Sequence, residues 1–326
     1  MHEPNVKVWL GPALAAALAI ALPLALRALG QVFYVSFASQ VLIYALAATS
    51  LNLVLGYGGM VSFGHAAFVG AGAYVASLLL HAGVESAWIA WPAAMVVAAA
   101  IALATGAISL RTRGVYFIMI TLAFAQMLFY LANSIKAWGG DEGLTLARRP
   151  AFGFGVDLAD DVSFYYVVLA LLAAALFALH RLAGSRFGHA VVAVRENETR
   201  AEAIGLPVFR TRLACFVIGG AVGGLAGALL ACHGKYVNPN VLHWTQSGTL
   251  MIMVILGGVG RLWGGVLGAA ALLGLERFLA DFRIGWLAAL VPNYAQHTSL
   301  AVGVVLLAAV LFAPRGLAGW RRARDG

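Results

Sequence analysis

Residues able to make or break a covalent bond are few in this 326-residue chain, and they do not gather into a catalytic set. The eight histidines include no pair spaced i, i+4 and no His–Cys cluster with metal-ligand spacing, so no metal site is expected. Cys215 and Cys232 fall in one apolar stretch. As a helix it would separate them by ~25 Å at 1.5 Å per residue. A disulfide needs Cα atoms within about 7 Å, so the pair carries no redox information. No HExxH, GxSxG or GxxxxGK[ST] pattern occurs. Hydrolytic chemistry and phosphate cradling therefore have no carrier here, and any ATP hydrolysis must belong to another chain.

The remaining candidates work by hydrogen bonding and docking. Asn52, Ser62, His65, Thr121 and Gln126 are polar residues inside apolar segments. Each could touch a passing solute or bond to a neighbouring helix. Gln126 and Asn133 are expected to bond across helices. Two glycine clusters complete this set. An offset of 201 residues aligns Leu55, Gly56, Gly59 and Gly64 with Leu256, Gly257, Gly260 and Gly265. The alignment suggests a weak internal repeat whose glycine-interrupted helices meet near a transport path, or simply close interhelical contacts. A second group is charged. Ala190–Ile204 reads as one short helix stopped by Gly205 and Pro207, with Glu196 and Arg200 as an i, i+4 pair. It holds Arg195, Glu196, Glu198, Arg200 and Glu202, with a modest apolar side from Val194, Ala201 and Ile204. Such a helix could dock into a groove on a partner or stand as a solvated surface.

The elements that must position these residues follow from composition. The chain is 62% hydrophobic and 10% charged. Soluble domains average about 25% charged, and a water-exposed fold of this size cannot cover itself with so few charges. That excludes a cytosolic enzyme, a nucleic-acid binder and a disordered protein; the fold class is an all-α polytopic membrane protein. About ten spans are expected: Val8–Leu29, Ala38–Leu55, Ser62–Leu80, Trp88–Ser109, Val115–Leu131, Ser163–Ala183, Leu213–Cys232, a short one ending near Gly260, Gly264–Leu279 and Thr298–Ala313. The one ending near Gly260 is the weakest, being clearly apolar only from Thr249 and starting as early as Trp244 if it crosses; it could be broken or re-entrant. Val8–Leu29 is longer than a signal-peptide core and is read as a retained helix.

Charge sidedness tests this count. Ten spans with both termini inside put 14 of the 21 lysines and arginines on the inner side, and most acids on the outer side. This is the asymmetry that the positive-inside rule requires, and it sets the net charge of +8 in its place. The chain is read as one permease-like domain over 1–326. An outer loop spans 132–162, an inner loop 184–212, and a further outer loop His233–Gln246. Phe282–His297 looks interfacial, with Trp286 and Tyr294 as belt residues.

The stretch Ser50-Leu51-Asn52-Leu53-Val54-Leu55-Gly56-Tyr57-Gly58-Gly59-Met60-Val61-Ser62-Phe63-Gly64-His65-Ala66-Ala67-Phe68 resembles the signature of the LivM-type permease family. These are membrane subunits of ABC importers for branched-chain amino acids. The resemblance continues through Arg113-Gly114-Val115-Tyr116-Phe117, Thr121-Leu122-Ala123-Phe124-Ala125, Gly139–Leu144, Arg195-Glu196-Asn197-Glu198 with Ala203-Ile204-Gly205, and Gly257–Gly260 with Gly264-Gly265. It implies a type II-like importer permease of the bacterial inner membrane, moving leucine, isoleucine and valine inward by alternating access. The family also holds urea and short-amide permeases, which stand as the alternative. An ion-coupled secondary transporter is a further alternative, but His65 is its one available intramembrane titrating group.

The resemblance implies partners: a second homologous permease, two ATPase subunits carrying ATP and Mg, a periplasmic substrate-binding protein, and membrane lipid. The chain itself would bind no cofactor. Glu202-Ala203-x-Gly205 is similar to the coupling loop that seats in such ATPases. This favours docking for Arg195, Glu196, Glu198, Arg200, Glu202, Ala203, Gly205 and Pro207. Asn52, Gly56, Gly59, Ser62, His65, Thr121, Gly257 and Gly260 are the candidate translocation-path residues. Asp141 and Glu142 are candidates for contact with the periplasmic partner.

Overall fold

The computed structural model describes residues 19–27, 30–153 and 157–281, with positions 303, 307, 316 and 317 besides. Eight of the expected spans have helical counterparts in the same order. They are α1 (Val32–Asn52), α2 (His65–His81), α3 (Ala87–Ser109), α4 (Val115–Ser134), α5 (Asp161–Ala183), α8 (Val208–Gly234), α9 (Trp244–Gly257) and α10 (Gly264–Asp281); the short helices α6 (Arg186–Glu196) and α7 (Glu198–Ala203) lie between α5 and α8. Five described helices are long and apolar enough to cross a bilayer: Phe33–Tyr57, Ala87–Ser109, Val115–Ser134, Asp161–Ala183 and Val208–Gly234. Most of Val8–Leu29, and Phe282–His297 and Thr298–Ala313 almost entirely, lie outside the described residues. Positions 19–27 are helical, and Tyr165 and Tyr166 donate hydroxyl hydrogen bonds to Ala19 O and Ile20 O at 2.8 and 3.0 Å.

Several boundaries differ from the sequence reading. α1 starts six residues before Ala38, and Ser39 does not interrupt it: its hydroxyl bonds back to Val35 O at 3.0 Å. α8 starts at Val208, directly after Pro207, so the charged residues Arg210 and Arg212 ride on its first turns. α9 has 14 residues, ~21 Å of helix, against a hydrocarbon core of about 30 Å. It begins at Trp244, stops at a glycine turn and is too short to cross such a core by itself. The expected single helix Ala190–Ile204 is two. It breaks at Asn197, whose backbone is extended and whose Oδ1 caps α7 by accepting from Arg200 N at 2.9 Å.

α8 is the central element, packed between α2 and α3 through small residues. Gly227 faces Val69 and Ala73 of α2, and Gly220 and Gly224 face Ala102 and Ala98 of α3. Without a hydrophobic force between helices in lipid, such close approach is what makes helix contacts favourable. α1 packs on α8 and α5 and, on another side, against the α9–α10 pair. The main core joins Ile43, Leu46, Leu51, Phe164, Leu229, Met253 and Leu272.

The loops at one end of this bundle are tied together more than a polar outer loop would require. β1 (Leu144–Thr145) pairs antiparallel with β2 (Tyr236–Val237), joining the two expected outer loops. Tyr236 Oη donates to Glu142 O at 2.5 Å, so Glu142 is fixed by its backbone while its side chain remains exposed. Arg149, 5% exposed at the side chain, bonds Asp161 at 2.7 Å, Leu158 O at 2.9 Å and Cys232 O at 3.1 Å, and lies over the Phe164 ring. Nothing in its spacing distinguishes Arg149 from a solvated loop cation.

A Cβ at Gly72 would run into the backbone of Gly224. Gly72→Val should therefore destabilise the chain by ~3 kcal/mol through overpacking of α2 against α8. Gly274→Ala, where nothing lies within 4 Å, should stay within about 0.5 kcal/mol. Thermal unfolding in detergent measures both, and equal midpoints for the two variants would contradict this packing.

Candidate functional site

The two glycine clusters noticed in the sequence lie against one another. α1 does not end cleanly: after Asn52 it widens into one π-helical turn, Leu53–Tyr57, of the kind that recurs at functional sites. α9 stops at Gly257, and the chain turns through Gly258 and Gly260, both at positive φ, before α10 begins. A Cβ on Gly56 would collide with the backbone of Gly260 and with Asn52 Oδ1. No side chain other than hydrogen fits between these two helix ends. On the α10 side, Gly257 meets the backbone of Gly264 just as closely.

Asn52 closes the junction. Its Oδ1 accepts from Gly260 N at 2.9 Å and its Nδ2 donates to Arg261 O at 2.6 Å. One buried amide thus satisfies a donor and an acceptor of the turn that ends α9. Asn52 was expected as a path residue or an interhelical bond; the geometry makes the bond. Arg195, on the last turn of α6, reaches the same place, where Nη1 donates to Gly56 O at 2.5 Å. Its aliphatic stem covers Gly59, which has a φ of +67 and where a Cβ would stand 2.6 Å from Arg195 Cγ. The spacing read Arg195 as one charge among several on a loop helix, without revealing that it turns back into its own chain.

A second buried group lies along α2. His65 Nε2 is 2.7 Å from Ser50 Oγ, which itself donates to Ala47 O, so Nε2 is the donor and Nδ1 is left without a partner. Gly223 of α8 leaves room for this pair. Ser62 Oγ accepts from Gly64 N at 3.2 Å; Gly64 packs against Thr121 O; and Ser247 of α9 caps α2 by accepting from Ala66 N at 2.8 Å. Ser50 and Ser247 carry no signal in the sequence, since a serine in an apolar helix usually bonds its own backbone. Gln126 Oε1 and Asn133 Oδ1 are buried without a hydrogen-bond partner, so neither oxygen makes the cross-helix bond expected of these residues.

The charged loop divides in two. Glu198 pairs with Arg113 at 2.9 Å and with Arg212, so it ties α7 to the start of α4 and to α8. The expected Glu196–Arg200 pair is interrupted by the bend at Asn197. Glu196, Arg200, Glu202, Ala203, Gly205 and Pro207 are exposed, as are Ile204 at 70% and Phe209. A cleft of about 160 Å³ opens beside them, lined by Gly59, Val61, Arg113, Phe117, Glu198 and Arg212. Asp141 and Glu142 are exposed among the loops tied by β1 and β2. Among the described residues no group of three or more His, Cys, Asp or Glu could hold a metal ion.

Residues 33–313 match the family model described as branched-chain amino acid transport system / permease component. The Escherichia coli K12 protein named high-affinity branched-chain amino acid transport system permease protein LivM is 29% identical over 306 residues, covering 87% of this chain and 69% of its own length. The LivH permease protein of the same organism is 26% identical over 295 residues, covering 85% of this chain and 91% of its own. A probable LivM of Methanocaldococcus jannaschii is 24% identical over 319 residues, covering 84% and 90%. No solved structure matches the chain.

Asn52→Ala removes a donor and an acceptor that the turn at Gly260 and Arg261 uses, and leaves both backbone groups unpaired. It should weaken this junction by about 2 kcal/mol. Hydrogen exchange by mass spectrometry on the purified chain should then report roughly thirty-fold faster exchange at 258–263, with the β1–β2 segments unchanged. Exchange unaltered at 258–263 would remove Asn52 from this role.

Proposed function

This chain belongs to the branched-chain amino acid transport permease family, and on that premise we propose that it is the membrane subunit of an ATP-driven importer carrying leucine, isoleucine and valine inward. The observation that carries the reading is the family match across residues 33–313, together with relatives whose names state branched-chain amino acid transport. The relatives are of two kinds, LivM and LivH, which supports a pair of homologous permeases side by side. Two ATPase subunits with ATP and Mg would sit on the face bearing α6 and α7. A periplasmic substrate-binding protein would sit on the opposite face, over Asp141 and Glu142. In this arrangement the chain spans the inner membrane about ten times, with both termini in the cytoplasm.

The chain performs no bond chemistry of its own in this reading. ATP binding draws the ATPase subunits together, the docked loop moves, and the permease halves exchange inward- and outward-open states. The exposed tip of the loop suits docking: Glu202 and Arg200 offer charge, and Ile204, Pro207 and Phe209 offer an apolar face. The path is proposed to run between α1, α2, α8 and α9. There a small cavity is walled by Ile43, Tyr44, Ala47, Val69, Ala226 and Leu250. Ser50 lies three residues beyond Ala47, and Gly223 three before Ala226, so His65 and its partners sit about one helical turn from this cavity. Aliphatic walls suit an aliphatic solute. The scarcity of charge around them suits weak binding and leaves selection to the partner protein.

Proteoliposomes containing this chain, its second permease and the ATPase subunits should accumulate labelled leucine when ATP and the loaded binding protein are supplied. Urea in place of leucine as the accumulated solute would establish the alternative member of the family. Accumulation by the chain alone, driven by an ion gradient, would overturn the ATP-driven reading.

Glu202→Arg and Gly205→Val test the loop. Gly205 has φ +85 with open space around it, so valine there strains the turn without a clash. Both variants should lower uptake at least tenfold while the protein stays folded and the ATPases continue to turn over. Wild-type uptake in both would remove the docking role from this tip.

A further inference from the structure

We propose that Arg195 is a positioning residue that pins the cytoplasmic loop to the junction of the two glycine breaks, so that loop movement is transmitted to α1, α9 and α10 together. The proposal rests on the ATP-driven reading above and gives it a mechanical link inside this chain.

Four observations converge on it. First, Arg195, although exposed overall, turns its guanidinium back to its own chain, where Nη1 bonds Gly56 O at 2.5 Å. Second, Gly56 O belongs to the π-helical turn that terminates α1, where end carbonyls have no helical donor and the helix dipole is negative. α9 ends at the same place, and Nη1 lies 3.8 Å from where a Cβ of Gly260 would stand. One guanidinium therefore bonds the C-terminal end of α1, the position at which a cation is most favoured, and passes close to the turn that follows α9. Third, the stem of Arg195 covers Gly59, so the pin has an apolar contact as well as a polar one. Fourth, Asn52 binds the turn of α9 to the end of α1, so a pull on Gly56 is passed to Gly260 and Arg261, and on to α10.

The neighbouring residues divide the labour. Glu198 holds α7 to Arg113 and Arg212, which keeps the loop attached to α4 and α8. Glu202 and Ile204 remain free for a partner. Arg195 makes the hydrogen bond from this loop to the helix breaks, and Val191 of α6 joins Leu53 and Val54 in one apolar cluster beside it. A π-turn followed by Gly58 and Gly59, the second at positive φ, is a segment that can change conformation at small backbone cost. Fixing its end carbonyl to the moving loop sets when it does so.

The test uses Arg195→Met, which keeps the stem over Gly59 and removes the donor, and Arg195→Lys, which keeps the charge with a single-point donor. On the purified full chain in detergent, hydrogen exchange at 54–60 and 258–263 should rise at least tenfold in Arg195→Met and less in Arg195→Lys. Peptides around β1 and β2 should not change. In the complete transporter, Arg195→Met should still co-purify with both ATPases and still hydrolyse ATP, with leucine uptake down at least tenfold and Arg195→Lys recovering part of it. Unchanged exchange at the junction, or wild-type uptake by Arg195→Met, overturns the proposal. Loss of the ATPases from the Arg195→Met complex also overturns it, by assigning Arg195 to the docking surface. If junction exchange rises as expected but the wild-type complex accumulates no solute, the permease reading fails, and with it the transmission role, while the contact itself stands.

Discussion

In a medium without water, every backbone amide and carbonyl must find a partner within the protein, and each one that does not costs several kcal/mol. A continuous helix meets this demand by itself. A helix that stops inside the bundle does not, and this chain stops two of them side by side, at Tyr57 and at Gly257. The rest of the junction follows from that constraint. Asn52 supplies a donor and an acceptor to one turn, Arg195 supplies a donor to the other, and glycine at 56 and 260 lets the backbones come close enough for both. Ser247 does the same for the first turn of α2, taking up Ala66 N. Polar residues inside the bundle are therefore explained first as repairs to broken helices.

The same demand explains why a chain with so few charges uses several of them internally. Arg149 meets two carbonyls and a carboxylate while stacking on Phe164; Arg195 meets the end of α1; Glu198 stands between Arg113 and Arg212. Arginine suits these places, since its planar fork keeps its charge and can serve several acceptors at once. The structure thus separates positive charge that holds elements together from positive charge, such as Arg200 and Arg210, that stands exposed at the loop tip.

Much of the architecture was legible in the residues, and the reason is hydropathy. A bilayer-length apolar run announces itself, so the helices from α1 to α10 that correspond to expected spans appear in order, most with ends within a few residues. What hydropathy cannot see is a bond across 139 or 208 residues of sequence. Asn52 was picked out because an amide is rare in an apolar run, but its partners at Gly260 and Arg261 were not readable. Arg195 was picked out for its charge, but its bond to Gly56 O was not readable, because a helix register does not say which neighbour a long side chain will reach. The break at Asn197 was missed for a related reason. Its neighbours are good helix formers, and the Asx cap that ends one helix and starts the next depends on the chain turning toward Arg113 and Arg212.

This division bears on how a transporter of this build can move. α8 is bound to α2 and α3 by backbone contact along its glycine face, which leaves no intermediate spacing: a small separation loses the contact outright. Motion is thus expected between groups of helices rather than within this one. The junction of α1, α9 and α10 is held differently, by a few directional bonds around glycines at positive φ, and directional bonds can exchange partners without opening a void. A rigid packed body and a bonded, rearrangeable junction meet at Ser50, which reaches His65 of α2 from the turn just before Asn52. His65 Nδ1 is buried without a hydrogen-bond partner at this boundary, so the seam between the two bodies carries an unmet polar demand.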